Sequence, residues 1–245
     1  MEALVPDYTS LTFPTAPADR PYVILNMVSS ADGRITVEGT ERGLGSPRDQ
    51  RLMRELRVHA DVTLHGAGTL RASGTSSRLG DPLLEDLRER RGLPRTPIAS
   101  VLSRSGDLPL DRLFFTARDF DAIVYLSDAA PPERVRAVEA TGRRVALLPA
   151  GEELRAMLRH MRHELGAGLL LVEGGPTING ELFDLDAVDE FFLTLGGVIV
   201  NGNILKPAVE NGRAPSIGAL TRLELMSAIP NGETDEVYLR YRVRR

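Results

Sequence analysis

Leu169-Leu-Leu-Val-Glu-Gly-Gly-Pro-Thr-Ile-Asn-Gly180 decides the fold class of this chain. An uninterrupted apolar strand, Leu169 to Val172, runs into Gly174 and Gly175, and Pro176 stands where a helix would begin. A strand that is apolar at every position is covered on both faces, as in parallel sheets. Glycines let the backbone approach a ligand closely, and a helix N-terminus presents unpaired N–H groups with a partial positive charge. The segment therefore reads either as a phosphate or pyrophosphate cradle or as an ordinary tight strand-to-helix turn. It has neither the lysine of a P-loop nor G-x-G-x-x-G spacing, so no standard fingerprint names the ligand. Glu173 ends the strand beside the glycines, where open α/β sheets bind ligands.

Upstream, the same pattern repeats. Tyr22 to Met27, Val62 to Leu64, Ile98 to Leu102, Ala122 to Leu126 and Val145 to Leu148 are short, nearly continuous apolar runs that read as strands. Helical patterns lie between them. Ser46-Pro47 is an N-cap followed by proline at the first helical position, with Leu52, Met53 and Leu56 on one face behind it. From about Gly151 to Leu165, apolar residues at 154, 157, 158, 161 and 165 trace one stripe of a helix. The C-terminal part changes to strands without intervening helices, over 189–200 and 236–243. Alternation at Val237, Leu239, Tyr241 and Val243 predicts an edge strand there. The expected architecture is β/α alternation closed by an antiparallel segment. Residues 1–20 read as an N-terminal extension and 21–245 as one domain.

The chain has 245 residues, 30 basic against 34 acidic, and no cysteine. Disulfides, thiol nucleophiles, Cys-ligated zinc and iron–sulfur clusters are thereby excluded. Lys206 is the sole lysine, followed at once by proline, which argues against Schiff-base chemistry. A slightly acidic balance gives no nucleic-acid footprint. No apolar run reaches the roughly 20 residues that span a bilayer, and the N-terminus lacks a signal-peptide pattern. The expectation is a cytoplasmic protein without a membrane segment. No H-x-E or H-E-x-x-H pattern exists, so no metal is expected.

Two further strand ends carry ligand chemistry. Asp61-Val-Thr-Leu-His-Gly-Ala-Gly-Thr-Leu70 again leads a strand into a glycine-rich turn, Gly66, Ala67, Gly68 and Thr69, whose N–H groups and hydroxyl suit a second part of one extended ligand such as a dinucleotide. The strand from Ile98 ends in Ser103-Arg104-Ser105, a guanidinium between hydroxyls that suits a phosphate monoester such as the 2′-phosphate of NADP, or is a solvated turn. Asp32-Gly33 reads as turn chemistry, with Asp32 capping local N–H groups.

Taken together, these pieces resemble the pyrimidine reductases of riboflavin biosynthesis, which form the C-terminal domain of the bacterial bifunctional deaminase-reductase and share the dihydrofolate-reductase-like fold. The resemblance rests on Ser-x-Asp-Gly (Ser30 to Gly33), Ser46-Pro47, Leu-Arg-x-x-Ala-Asp (Leu56 to Asp61), Gly-x-Gly-Thr (Gly66 to Thr69), Val-Glu-Gly-Gly-Pro-Thr (Val172 to Thr177) and Val-Asp-Glu (Val188 to Glu190), in order over roughly residues 20 to 205. It implies a three-layer α/β/α fold around a mixed, mostly parallel sheet with an antiparallel C-terminal edge. It further implies a homodimer, with NADPH as hydride donor and a phosphorylated ribosylamino-pyrimidine, reduced at C1′, as acceptor.

Carried over position by position, NADPH would touch Ser29, Gly66, Ala67, Gly68, Thr69, Ser103, Arg104, Gly174, Gly175, Pro176, Thr177, Ile178 and Asn179. Substrate contacts would fall on Asn26, Arg57 (for phosphate), Arg78 and Glu173, with Glu173 at the reacting end. Asn26 and Ser73 stand where relatives often carry Lys and Asp. The zinc-dependent deaminase pattern is absent. Two other readings stay open: a reductase of the same fold acting on a pterin or dihydrofolate-like acceptor, and an NADP-binding protein without turnover.

Overall fold

A computed structural model describes residues 6–73, 75–202, 206–210 and 216–245, without the side chain of Ser73. Among the described residues nine strands and seven α-helices follow in this order: β1 (Tyr22–Ser30), α1 (Pro47–Arg57), β2 (Val62–Gly66), α2 (Ala67–Ser73), α3 (Pro82–Arg90), β3 (Ile98–Ser103), α4 (Leu113–Thr116), β4 (Ala122–Ser127), α5 (Pro132–Glu139), β5 (Arg144–Leu148), α6 (Glu153–His163), β6 (Leu169–Val172), α7 (Pro176–Asp184), β7 (Glu190–Gly196), β8 (Leu223–Asn231) and β9 (Glu236–Val243). They form one sheet in the order β5-β4-β3-β2-β6-β1-β7-β9-β8. β1 to β7 pair in parallel, whereas β9 pairs antiparallel with both β7 and β8.

The apolar strands in the middle of the sheet are buried on both faces, but Val145 to Leu148, read as covered in the same way, forms the edge strand β5 and leaves Leu147 53% exposed. On one face Leu154, Met157, Leu158 and Met161 of α6 and Ile178 and Leu182 of α7 pack on Val23, Leu25, Leu64 and Val172. On the other, Leu52 and Leu56 of α1 pack on Ile24, Leu171 and Phe192, and α2, α4 and α5 cover β3 and β4. Ser46 caps α1 as expected, its hydroxyl accepting from the N–H groups of Arg48 and Asp49. The early segment is tied in as well. Tyr8 N–H donates to Glu55, and Arg20 pairs with Asp189 at 2.6 Å.

Two further expectations are corrected. The alternating strand β9 is not the edge, because β8 lies outside it. Alternation is broken in β8 by a bulge between Leu225 and Ser227, and most of its residues are exposed or half-buried, so its sequence carries no clean strand period. The turn expected at Gly66–Thr69 is instead the last strand residue followed by the first turn of α2.

The position of the site follows from the crossovers. β6 lies between β2 and β1. The chain leaves β1 over the α1 face and leaves β6 through α7 on the opposite face. Connections that diverge from neighbouring parallel strands open a crevice at their carboxyl ends.

Candidate active site

That crevice is a cleft of about 1170 Å³, larger than the usual volume for one small ligand and roomy enough for two. α1 presents Asp49, Gln50, Met53, Arg54 and Arg57 to it. Asn26 of β1, His65 and Gly66 at the end of β2 and Glu173 just past β6 form its floor. The far rim is Ala67, Gly68 and Thr69, Ser103 and Arg104, and Gly174 to Ile178.

The floor is organised by charge. Arg57 grips Glu173 with both ends of its guanidinium, Nε to Oε1 at 2.6 Å and Nη2 to Oε2 at 2.7 Å, and both side chains are buried. Its remaining Nη1 donates to the carbonyl of Arg78. Every edge of the guanidinium is thus engaged. Bidentate pairing of this kind fixes orientation as well as charge. His65 Nε2 lies 3.4 Å from Glu173 Oε2, a close approach that is not a hydrogen bond, and the buried nitrogen has no hydrogen-bond partner among the described residues. Burial pushes the imidazole down to about 4, with Glu173 raising it and Arg57 lowering it, so at neutral pH it carries no charge.

The glycine pair is a contact between two backbones. Gly66 N–H donates to the Gly174 carbonyl at 2.9 Å. A Cβ on Gly66 would stand 2.9 Å from Gly175 Cα. Gly174 and Gly175 have φ of +105° and +110°, which side chains rarely adopt. This crossing leaves α7 starting at the cleft with no side-chain cap on its first N–H groups, a place for an anion. Gly68 faces open space, its missing Cβ meeting nothing within 4 Å. These features fit the phosphates of a dinucleotide, and they separate two roles. If the cleft holds a nicotinamide dinucleotide, Gly68→Ala is expected to leave the melting temperature unchanged or slightly raised while weakening dinucleotide affinity about 10-fold. Gly175→Val is expected to lower both, the affinity by at least about 100-fold. Calorimetric titration and thermal denaturation check the pair, and equal behaviour of the two variants would remove the cradle.

At the end of β3, Arg104 lines the cleft but is paired with Glu181 at 2.6 Å and lies 3.3 Å from Glu153. Arg71 and Arg112 join it there, two cations the sequence reading passed over. The Ser103 hydroxyl turns inward and accepts from Gly106 N–H.

Most of the residues singled out from sequence converge on the cleft, but three lie elsewhere. Ser29 is buried in the β1–β7 pairing and does not line the cleft. Asn179 is fully buried, its amide donating to the Ala208 carbonyl at 2.7 Å. Arg78 pairs with Asp119 at 2.7 Å and stacks over Phe120, away from the cleft. Asp32 caps no local N–H group among the described residues, contrary to expectation: it accepts from the Ser30 hydroxyl nearby and from the N–H groups of Val200 and Asn201, 168 and 169 residues away. Conversely, His65 and Asp49 were missed. Their signals were a histidine inside an apolar strand and an acid at the 49, 52, 56 spacing of the buried stripe of α1.

A three-layer α/β domain whose ligand cleft sits at the switch point of a mostly parallel sheet, closed by an antiparallel edge, is a dihydrofolate-reductase-like fold. A dihydrofolate reductase of Enterococcus faecalis superposes with a TM-score of 0.51 at 16% identity, over 91% of this chain and 97% of its own. More specifically, the chain belongs to the RibD C-terminal domain family, whose sequence profile matches residues 21–233. It is 29% identical over 188 residues to the 2,5-diamino-6-ribosylamino-4(3H)-pyrimidinone 5′-phosphate reductase of Archaeoglobus fulgidus, covering 75% of this chain and 83% of the relative. A pyrimidine reductase-like protein of Corynebacterium diphtheriae superposes with a TM-score of 0.77 at 22% identity, covering 93% of each chain.

Proposed function

We propose that this chain is an NADPH-dependent reductase of riboflavin biosynthesis that reduces a phosphoribosylamino-pyrimidine, either the 2,5-diamino-pyrimidinone or its uracil counterpart, to the ribitylamino product. The observation that carries the reading is one cleft holding two unlike halves. The start of α7, which has no side-chain cap among the described residues, faces a polar floor of Asn26, Arg57, His65 and Glu173. The names of the sequence relatives support the same substrate class. When bound, the nicotinamide would supply a hydride to C1′ of the acceptor in its ring-opened imine form, in which the C1′–O4′ bond is already broken, and the imine nitrogen takes up a proton from solvent.

The chain's own task is then placement. Gly66 to Thr69 and Gly174 to Thr177 seat the cofactor phosphates, and the guanidinium cluster Arg71, Arg104 and Arg112 suits the 2′-phosphate that distinguishes NADPH. Glu173, aimed by Arg57, accepts hydrogen bonds from sugar hydroxyls beside the reacting carbon. Because Arg57 is committed to Glu173, the acceptor's 5′-phosphate falls to Arg54 and Arg42, which line the cleft and have no ion-pair partner among the described residues. A cytoplasmic homodimer completes the proposal. Among the described residues no helix is long and apolar enough to cross a membrane.

The test is loss of NADPH absorbance with each phosphoribosylamino-pyrimidine and with dihydrofolate. Oxidation with a pyrimidine supports the reading, and oxidation with dihydrofolate alone replaces it by a pterin-type reductase. Tight NADPH binding with no oxidation by any acceptor would leave a nucleotide-binding protein without turnover.

A further inference from the structure

The cleft holds a charged group that this chemistry leaves unused. Asp49 stands in the first turn of α1, on the stripe it shares with Leu52 and Leu56, and its side chain lines the cleft while the residue is only 9% exposed. An acid in that position often serves the helix end, but here the work is done by others. The Ser46 hydroxyl caps the N–H groups of α1, and the N–H of Ser46 itself donates to Glu236 at 2.6 Å. Among the described residues no cation pairs with Asp49. Its hydrogen-bonding neighbour is Thr194, while burial and the charge of Glu236 push its carboxyl up to about 6. Room for it is made by Gly45, where a Cβ would stand 2.3 Å from Asp49 Oδ2. Buried carboxylates are costly unless hydrogen-bonded, and a carboxylate offers about four acceptor positions. One hydroxyl leaves most of them to a ligand.

A planar carboxylate in such a place fits two parallel N–H donors held in one plane. The ring N3–H and the 2-amino group of a 2-amino-4-pyrimidinone are such a pair. In the deaminated ring the 2-position is a carbonyl, and its lone pairs would face a carboxylate oxygen. We propose that Asp49 reads the N3–H and 2-amino edge of the acceptor and sets this site for the 2-amino pyrimidinone rather than its 2-oxo counterpart. The inference rests on the reductase reading for its substrate. Its physical content, a carboxylate that selects a donor–donor edge, is testable apart from turnover. Selectivity then comes from repulsion against the wrong ring as much as attraction for the right one.

Asp49→Asn is the decisive variant, because a carboxamide offers one acceptor and one donor, the pattern that the N3–H and 2-oxo edge requires. Two measurements run together. One is kcat/KM for the 2-amino and 2-oxo phosphoribosylamino-pyrimidines. The other is the Kd of two free bases, 2,6-diamino-4-pyrimidinone and 6-aminouracil, titrated into the NADPH-loaded protein. The wild type is expected to favour the 2-amino compound about 100-fold in each, and Asp49→Asn to reverse the preference to about 10-fold for the 2-oxo compound. Gly45→Ala, which displaces the carboxylate without changing it, is expected to erode the 2-amino preference. An unchanged ratio in Asp49→Asn overturns the assignment even while the enzyme turns over. Base selectivity that follows residue 49 in a protein reducing neither substrate upholds it and overturns the reductase reading. Failure of both bases to bind, with no turnover, overturns both.

Discussion

Arg57→Met is expected to lower stability by about 3 to 4 kcal/mol and kcat for pyrimidine reduction by at least about 100-fold. Removing one member of a buried ion pair leaves the other charge without compensation, and Glu173 has little access to water to replace what it loses. Its neighbour at 3.4 Å is His65, a buried imidazole that the arginine helps to keep neutral. Without the guanidinium, the released carboxylate loses its orientation in the cleft floor, and with it the contact proposed for the acceptor sugar. Arg57→Met/Glu173→Leu separates the two effects. Replacing both partners by apolar groups of similar size is expected to recover most of the stability and none of the turnover. Urea denaturation and NADPH oxidation on the two single variants and the double variant measure this. A single variant that loses less than about 1 kcal/mol, or a double variant no more stable than the worse single, would remove the clamp from the account.

This pair also marks where sequence reading stops. The parallel core was legible because strands buried on both faces are nearly continuous apolar runs, and Leu169 to Val172, and Ile98 to Leu102 with only Ser100 interrupting it, needed no partner to be recognised. The start of α1 was legible because Ser46-Pro47 is a local device. Arg57 was read as a site residue and lines the cleft, but its pairing with Glu173 was not legible. Its partner is 116 residues away, and nothing in the local sequence distinguishes a guanidinium that binds phosphate from one that holds a carboxylate. Arg78 was lost to the cleft for the same reason, since Asp119 and Phe120 claim it. The outer strand β8 was illegible because its bulge and exposure remove the period on which a strand is read. Asp49 was overlooked because an acid in a first helical turn is ordinarily explained by the helix dipole. Only the tertiary packing shows that Ser46 and Glu236 have left it without that task.

Acidification from pH 7 to pH 4.5 is expected to lower stability by about 3 kcal/mol, a fall of about 10 °C in melting temperature, through His59 and His65. Both imidazoles are pushed from 6.5 down to about 4, chiefly by burial. His59 Nε2 sits 2.8 Å from the Tyr8 carbonyl, and its Nδ1 lies 3.2 Å from Arg91 Nη1. A donor facing the carbonyl and an acceptor facing the guanidinium make the neutral ring the one that fits. His65 is buried beside the Arg57–Glu173 pair, its Nε2 3.4 Å from Glu173 Oε2. Between 6.5 and 4 the unfolded chain binds protons that the fold excludes, so their contribution is complete above 6.5 and is lost as pH falls toward 4. By pH 4.5 each histidine gives up about 2.5 kcal/mol. Asp49 works the other way. Its carboxyl is raised to about 6, so the fold takes up a proton there before the unfolded chain does and recovers about 2 kcal/mol. Carboxylates held low by hydrogen bonds, such as Glu153 and Glu236, begin to matter only as pH falls further. Denaturant melts at pH 7, 5.5 and 4.5 measure the slope, and the variants assign it. His59→Gln and His65→Gln should each flatten the curve, whereas Asp49→Asn should be more stable than wild type at pH 7 and fall more steeply in acid. A wild-type stability level across this range, or an Asp49→Asn curve parallel to it, would mean that these three buried groups do not titrate as their surroundings require.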